Sequence, residues 1–150
     1  MLLQDGWSTF LLFFACSESI GSSGFLEDKG VAVLECESCA ITKFGYPNDE
    51  GRPEHPLYAL GLADASSPIL EVAGSVWASE VAAQARASSE RIWGGRGMKL
   101  PVQHRAPGRH FIVLLKEQTF ECIAAALTVR LYAKDFAEAH SYVQQRFAEH

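Results

Sequence analysis

His55 sits between Glu54 and Pro56 in the stretch KFGYPNDEGRPEHPLY (residues 43–58), with Tyr46, Asp49, Glu50 and Tyr58 close by in the chain. An imidazole works as a general base when a carboxylate orients it, and Asp49, Glu50 or Glu54 could serve. The plainer reading is that His55 bonds its own loop and holds it shut. Glu80 follows Trp77 by three residues near a helix start, where the helix dipole favours an acid with or without chemistry. Glu121 stands among apolar strand residues. It is either on a solvent face or a partly buried acid in need of a partner, and Lys116, diagonal to it across a turn, is the simplest one. His110 opens a strand and is expected at a rim; His140 is expected packed on the last helix.

Other groups carry weaker signals. Cys36-Glu37-Ser38-Cys39 matches C-x-x-C, but it lies within a run that reads as strand, where side chains three apart point to opposite faces. A bulge or turn at Glu37-Ser38 would be needed for both thiols to grip one metal, and no second such pair completes a ligand set. No metal or cofactor is therefore expected, and the four cysteines read as buried thiols. Residues 86–110 hold six Lys or Arg against one Glu, in a chain of net charge −5. With no nucleic-acid motif beside it, this is read as a solvated basic face and no nucleic-acid partner is expected. Gly94-Gly95-Arg96-Gly97 lacks the Lys-Ser/Thr of a phosphate loop, and neither a Gly-x-Ser-x-Gly elbow nor a zinc-binding histidine pair is present.

The elements that must position these groups follow from apolar periodicity. At 150 residues, 48% hydrophobic and 21% charged, the chain reads as one folded domain, 1–150, with no run long enough for a membrane helix. Trp7 to Cys16 is apolar on both alternations, as in an interior strand; no basic region precedes it, which argues against a secretory segment. A second strand is expected from Val31 to Phe44, its apolar phase broken at Glu35 and Glu37 by a bulge or an edge. Pro47, Pro53 and Pro56, with turn residues between them, make 43–58 a stiff connector without regular structure. Ile69 to Ala73 reads as a short strand. Ser75 caps a helix whose inner face is Trp77, Val81, Ala85, Ser88 and Ile92, ended by Gly94-Gly95. His110 to Lys116 and Thr119 to Leu131 form a hairpin about Glu117-Gln118, with Leu115, Val113 and Phe111 opposite Phe120, Cys122 and Ala124. A final helix starts at Asp135, with Glu138 at capping-box spacing and a stripe of Phe136, His140, Val143 and Phe147. The sum is an α+β fold: a mainly antiparallel sheet of about five strands with two principal helices packed on it.

Three pieces of the chain resemble a group of small bacterial proteins of unassigned function. They are Phe44-Gly45-Tyr46-Pro47-Asn48-Asp49-Glu50 with His55-Pro56-Leu57-Tyr58; Glu71-Val72 with Ser75-Val76-Trp77-Ala78-Ser79-Glu80; and His110-Phe111-Ile112 with Thr119-Phe120-Glu121-Cys122-Ile123-Ala124. The resemblance spans roughly 44–124, implies a shared fold and allows a shared site, and implies no particular activity. Trp93 and Lys116 stand where that pattern has histidines.

Periodicity and resemblance lead to one expectation. The stiff loop, the Trp77–Glu80 helix start and the strand bearing Glu121 converge on a cleft lined by Tyr46, Asp49, His55, Tyr58, Trp77, Glu80 and Glu121. In a cytoplasmic protein such a cleft would bind a small molecule or a protein partner. The alternative is a small hydrolytic or acid–base enzyme using His55 with a carboxylate. A homodimer through a sheet edge or the terminal helix is a third reading.

Overall fold

The computed structural model describes residues 1–5, 8–18, 26–93, 108–132 and 135–149. In chain order it forms β1 (Leu2–Gln4), β2 (Ser8–Glu18), β3 (Leu26–Glu37), β4 (Ile41–Gly45), β5 (Ile69–Val72), α1 (Val76–Trp93), β6 (Arg109–Leu114), β7 (Thr119–Ala124), β8 (Ala126–Tyr132) and α2 (Phe136–Ala148). The fold is α+β with two helices and antiparallel strands, but the strands do not make one five-stranded sheet. They make two four-stranded sheets, ordered β1-β2-β3-β8 and β4-β7-β6-β5. Each sheet belongs to one of two compact units, Met1–Ser38 with Ala126–His150, and Cys39–Ala125.

The second sheet arises because both long apolar runs are interrupted. The run 31–44 breaks after Glu37, where Ser38 takes a φ of 49°, and the chain resumes as β4 in the other sheet. The run 119–131 breaks at a bend at Ala125, separating β7 from β8.

In the first unit, β2 and β3 pair from Ser8↔Glu37 to Glu18↔Leu26, with a register shift at Ala15/Cys16. β2 is buried on both faces only from Ser8 to Leu12; beyond that it emerges, and Phe14 is 75% exposed. Phe10, Leu12, Val31 and Val33 pack against Ala139 and Val143 of α2, with Leu3, Tyr132, Tyr142 and Phe147 around them. The buried stripe of α2 is therefore centred on Ala139 and Val143, and Phe136 lies outside it. Asp135 caps this helix by accepting from the Ala137 amide at 2.8 Å. Glu35, expected at a bulge or an edge, lies on an interior strand, where Arg146 and Tyr142 of α2 reach it at 2.8 and 3.2 Å. A buried carboxylate is tolerable there because both partners supply hydrogen bonds. The hydrogen bonds that Arg146 donates to the Glu35 and Glu149 carboxylates push its guanidinium above its ordinary value.

In the second unit, β6 and β7 pair with Val113↔Phe120 and Phe111↔Cys122, two residues out of the expected register. The cause is a four-residue turn: Leu115 donates its amide to Gln118 O at 3.0 Å and leaves the strand. The faces keep their expected parity. Phe111, Val113, Phe120 and Cys122 share one face, and His110, Ile112, Glu121 and Ile123 share the other.

The connector after β4 holds more regular structure than its prolines suggest. It makes 3-10 turns at Arg52–Glu54, Tyr58–Leu60 and Leu62–Asp64, with Gly61 at a φ of 118° between the last two. Asn48 accepts from the Gly51 amide at 2.9 Å, and the Thr119 hydroxyl donates to Pro47 O at 2.6 Å. The Asp49 amide donates to Lys116 O at 3.0 Å. These bonds hold the loop to the β6–β7 end of its sheet.

In α1, Ser75 is the cap, its hydroxyl accepting from the Ala78 amide at 3.1 Å. Gly74 before it takes a φ of 64°, a conformation that L side chains adopt at a cost. Trp77, Val81 and Ser88 of the expected stripe are half-buried, whereas Ala85 and Ile92 are exposed and Ser89 takes the buried position. The expected Gly94-Gly95 stop, and Arg96, Lys99 and Arg105 of the basic segment, lie outside the described residues.

Candidate functional site

The sheet register builds the floor of the site. Lys43 of β4 is opposite Glu121 of β7, Glu121 is opposite Ile112 of β6, and Ile112 is opposite Leu70 of β5. One row of side chains thus crosses all four strands. His110 lies two residues along β6 from Ile112, diagonal to Glu121 and within reach of a long side chain. The start of α1 and the loop carrying His55 complete the walls of a cavity of about 710 Å³. This is within the usual range for small-molecule sites. Leu57, Leu60, Leu62, Leu70, Val72 and Val76 give it an apolar lining, and Lys43, His55, Ser75, Glu80, His110 and Glu121 supply polar groups.

At the floor, three residues form a hydrogen-bonded chain. His110 Nε2 is 2.9 Å from Glu121 Oε2, and His110 Nδ1 is 2.9 Å from Ser75 Oγ. The imidazole is 4% exposed and the carboxylate 14%. With Nε2–H donating to the carboxylate, Nδ1 of a neutral ring is the acceptor and the Ser75 hydroxyl is the donor. The Trp77 ring meets His110 edge-on, centroids 5.0 Å apart, and fixes the imidazole plane.

His55 enters from the loop side. Its Nδ1 accepts from the Leu57 amide at 3.1 Å, which makes Nε2 the protonated nitrogen of a neutral ring. Nε2 lies 3.7 Å from Glu121 Oε1, beyond hydrogen-bond length, and is buried with no partner. Lys43 completes the set: its Nζ stands 3.7 Å over the Trp77 ring and 4.0 Å from Glu121 Oε1. Burial works against ionisation of Glu121. The His110 hydrogen bond and the charges of Lys43, His55 and His110 outweigh it and hold the carboxyl below its ordinary value. Glu121 is therefore an anion at neutral pH, gathered among three nitrogen groups.

Of the seven residues expected to line a cleft, His55, Trp77, Glu80 and Glu121 come together around this cavity. Tyr46, Asp49 and Tyr58 do not line it. Tyr46 is exposed and lies over Gly51, and the Glu54 carboxylate raises its phenol pKa by hydrogen bonding. Asp49 uses its carboxylate on the Glu50 amide, 2.9 Å away. Tyr58 belongs to a 3-10 turn, its amide donating to His55 O at 2.9 Å.

Three further expectations are corrected. The carboxylate facing His55 is Glu121 from a distant strand, not Asp49, Glu50 or Glu54. Glu121 hydrogen-bonds His110 and lies near the charged or polar nitrogens of His55 and Lys43, not Lys116, because the register places Ile112 and Lys43 beside it. His110 is no rim residue; it is buried at the centre of the site.

The sequence marks Ser75 only as a helix cap and gives Lys43 no role in the site, whereas the i, i+2 parity of β6 does put His110 on the face of Ile112. Among the described residues no cluster of His, Cys, Asp or Glu could hold a metal ion. No helix among them is long and apolar enough to cross a membrane. No protein family, no curated protein and no solved structure is matched by the chain.

Proposed function

We propose that the cleft of the Cys39–Ala125 unit binds a small organic ligand with an apolar body and a polar, hydrogen-bond-accepting head. The observation that carries this reading is His55 Nε2, a buried nitrogen with no hydrogen-bond partner on the wall of an apolar-lined cavity. A buried donor left unsatisfied costs about 1–3 kcal/mol, and a ligand acceptor placed there would recover it. The apolar lining would bury the rest of the molecule. The proposal treats the chain as cytoplasmic, with a protein segment or a second copy of the chain as the alternative occupants.

One observation favours a second reading, acid–base catalysis by His55 with Glu121. An imidazole N–H and an anionic carboxylate oxygen stand 3.7 Å apart and unbonded to each other, so a ligand seated against them meets an acid and a base.

The test is a titration with 8-anilinonaphthalene-1-sulfonate followed by dye emission. Val76 is exposed at the cavity lip, so Val76→Trp should obstruct the mouth without disturbing the core. Binding to the wild type is expected, weakened at least about fivefold by the tryptophan and measurably by His55→Gln, since a fivefold loss is near 1 kcal/mol. Affinity unchanged by both substitutions would rule out this cleft as the dye site and remove the proposal.

A further inference from the structure

We infer that Ser75 is a nucleophile for acyl transfer from carboxylic esters, with His110 as its base and Glu121 holding that base in place. The inference rests on the cleft being a ligand site. Its starting point is the hydroxyl itself. As a helix cap, Ser75 needs only to accept from the Ala78 amide, which it does at 3.1 Å. Its proton could be used locally, as Ser79 uses its own by donating to Ser75 O at 3.1 Å. Instead Ser75 Oγ lies 2.9 Å from a ring nitrogen 35 residues away, whose other nitrogen is 2.9 Å from a carboxylate. Hydroxyl, imidazole and carboxylate in line form the arrangement that moves a proton off an attacking oxygen while the carboxylate stabilises the resulting imidazolium.

Two other features serve the same reaction. Helix geometry leaves the amides of Val76 and Trp77 without intrahelical acceptors, while that of Ala78 is taken by the cap. Both residues line the cavity, beside the serine, where an ester oxygen would gain negative charge. Independently, the Nε2 of His55, which has no hydrogen-bond partner on a side chain 4% exposed, is a donor for a second substrate oxygen. The leucines and valines of the lining select an ester whose acyl group is apolar.

The chemistry balances without an added cofactor. Ser75 Oγ bonds to the ester carbon as its proton passes to His110 Nδ1. The tetrahedral intermediate expels the alcohol, which leaves with that proton. Water then attacks the acyl-serine, giving a proton to Nδ1, which is returned to Oγ as the carbon–Oγ bond breaks. One ester and one water become one acid and one alcohol.

The test treats the full chain with an alkyl fluorophosphonate and with p-nitrophenyl butyrate. Fluorophosphonate should modify Ser75, located by peptide mass, and ester turnover should follow. Ser75→Ala should abolish both. Ser75→Asp, whose carboxylate can cap the same amide, should do so with the helix cap retained. His110→Gln should slow labelling by about 100-fold or more, the scale of a lost general base. Glu121→Gln should alter the pH dependence of labelling, which a purely structural carboxylate would leave unchanged. Unlabelled Ser75 in a chain that still binds 8-anilinonaphthalene-1-sulfonate in the cleft would overturn this inference alone. Loss of both would overturn the cleft as well.

Discussion

Replacing Glu121 by leucine and His110 by phenylalanine, singly and together, measures what the buried chain contributes to stability. The bond between them is 2.9 Å long, joins an anion to an imidazole, and lies between side chains 14% and 4% exposed. A charge-assisted bond of this kind stabilises by about 1.5–3 kcal/mol, and a buried partner left behind costs about 1–3 kcal/mol more. Glu121→Leu strands His110 Nε2–H, so a loss of about 3 kcal/mol is expected. His110→Phe leaves the carboxylate near Lys43 and His55 but strands the Ser75 hydroxyl, for a loss of about 3 kcal/mol on the same scale. The double variant removes donor and acceptor together. It should be less damaged than the sum, with a coupling of about 2 kcal/mol. Urea unfolding followed by far-ultraviolet circular dichroism reads this directly. At a slope near 2 kcal/mol per molar, Glu121→Leu moves the midpoint down by about 1.5 M. A coupling below about 0.5 kcal/mol, with slopes unchanged, would show that the two groups do not depend on one another and would refute the reasoning.

Two further outcomes test the site's electrostatics and its framework. The Glu121 carboxyl is held below its ordinary value of 4.5, so its stabilising contribution is fully present above that pH and is lost as pH falls through the folded-state value. Melting temperature should therefore drop more steeply below pH 4.5 in the wild type than in Glu121→Gln, and parallel curves would contradict the assignment. Gly74 has a φ of 64° and no atom within 4 Å of a built Cβ. Gly74→Ala should thus cost about 1 kcal/mol from backbone conformation alone, with Gly74→Asn costing less, and an alanine variant as stable as the wild type would contradict this.

How much of this was legible in the sequence depended on whether a signal was local. β5, the Ser75 cap, the start of α2 and the parity of β6 and β7 follow from neighbours a few residues apart, and all are present. The convergence of the proline-bearing loop, the Trp77 turn and the Glu121 strand was also readable, because each is a rigid segment bearing polar groups. The division into two sheets was not. It turns on Ser38, whose positive φ is a conformation that residue type signals for glycine or asparagine, and on a bend at one of several successive alanines. The hairpin slipped by two residues because Leu115 reads as strand but is drawn into the turn. That slip hid the role of His110. Its parity was visible, but its distance from Glu121 depends on register, as does the choice of Lys43 over Lys116 as the nearby cation.

The Ser75 oxygen is shared between two jobs, closing the first turn of α1 and ending the line of polar contacts that starts at Glu121. A hydroxyl oxygen has two lone pairs, so a molecule that takes the second leaves the first to the Ala78 N–H, whose bond then strengthens or weakens with the oxygen's basicity. Chemistry at the serine is thereby felt at the tip of the helix, and deuterium uptake at the Ala78 amide becomes a gauge of it.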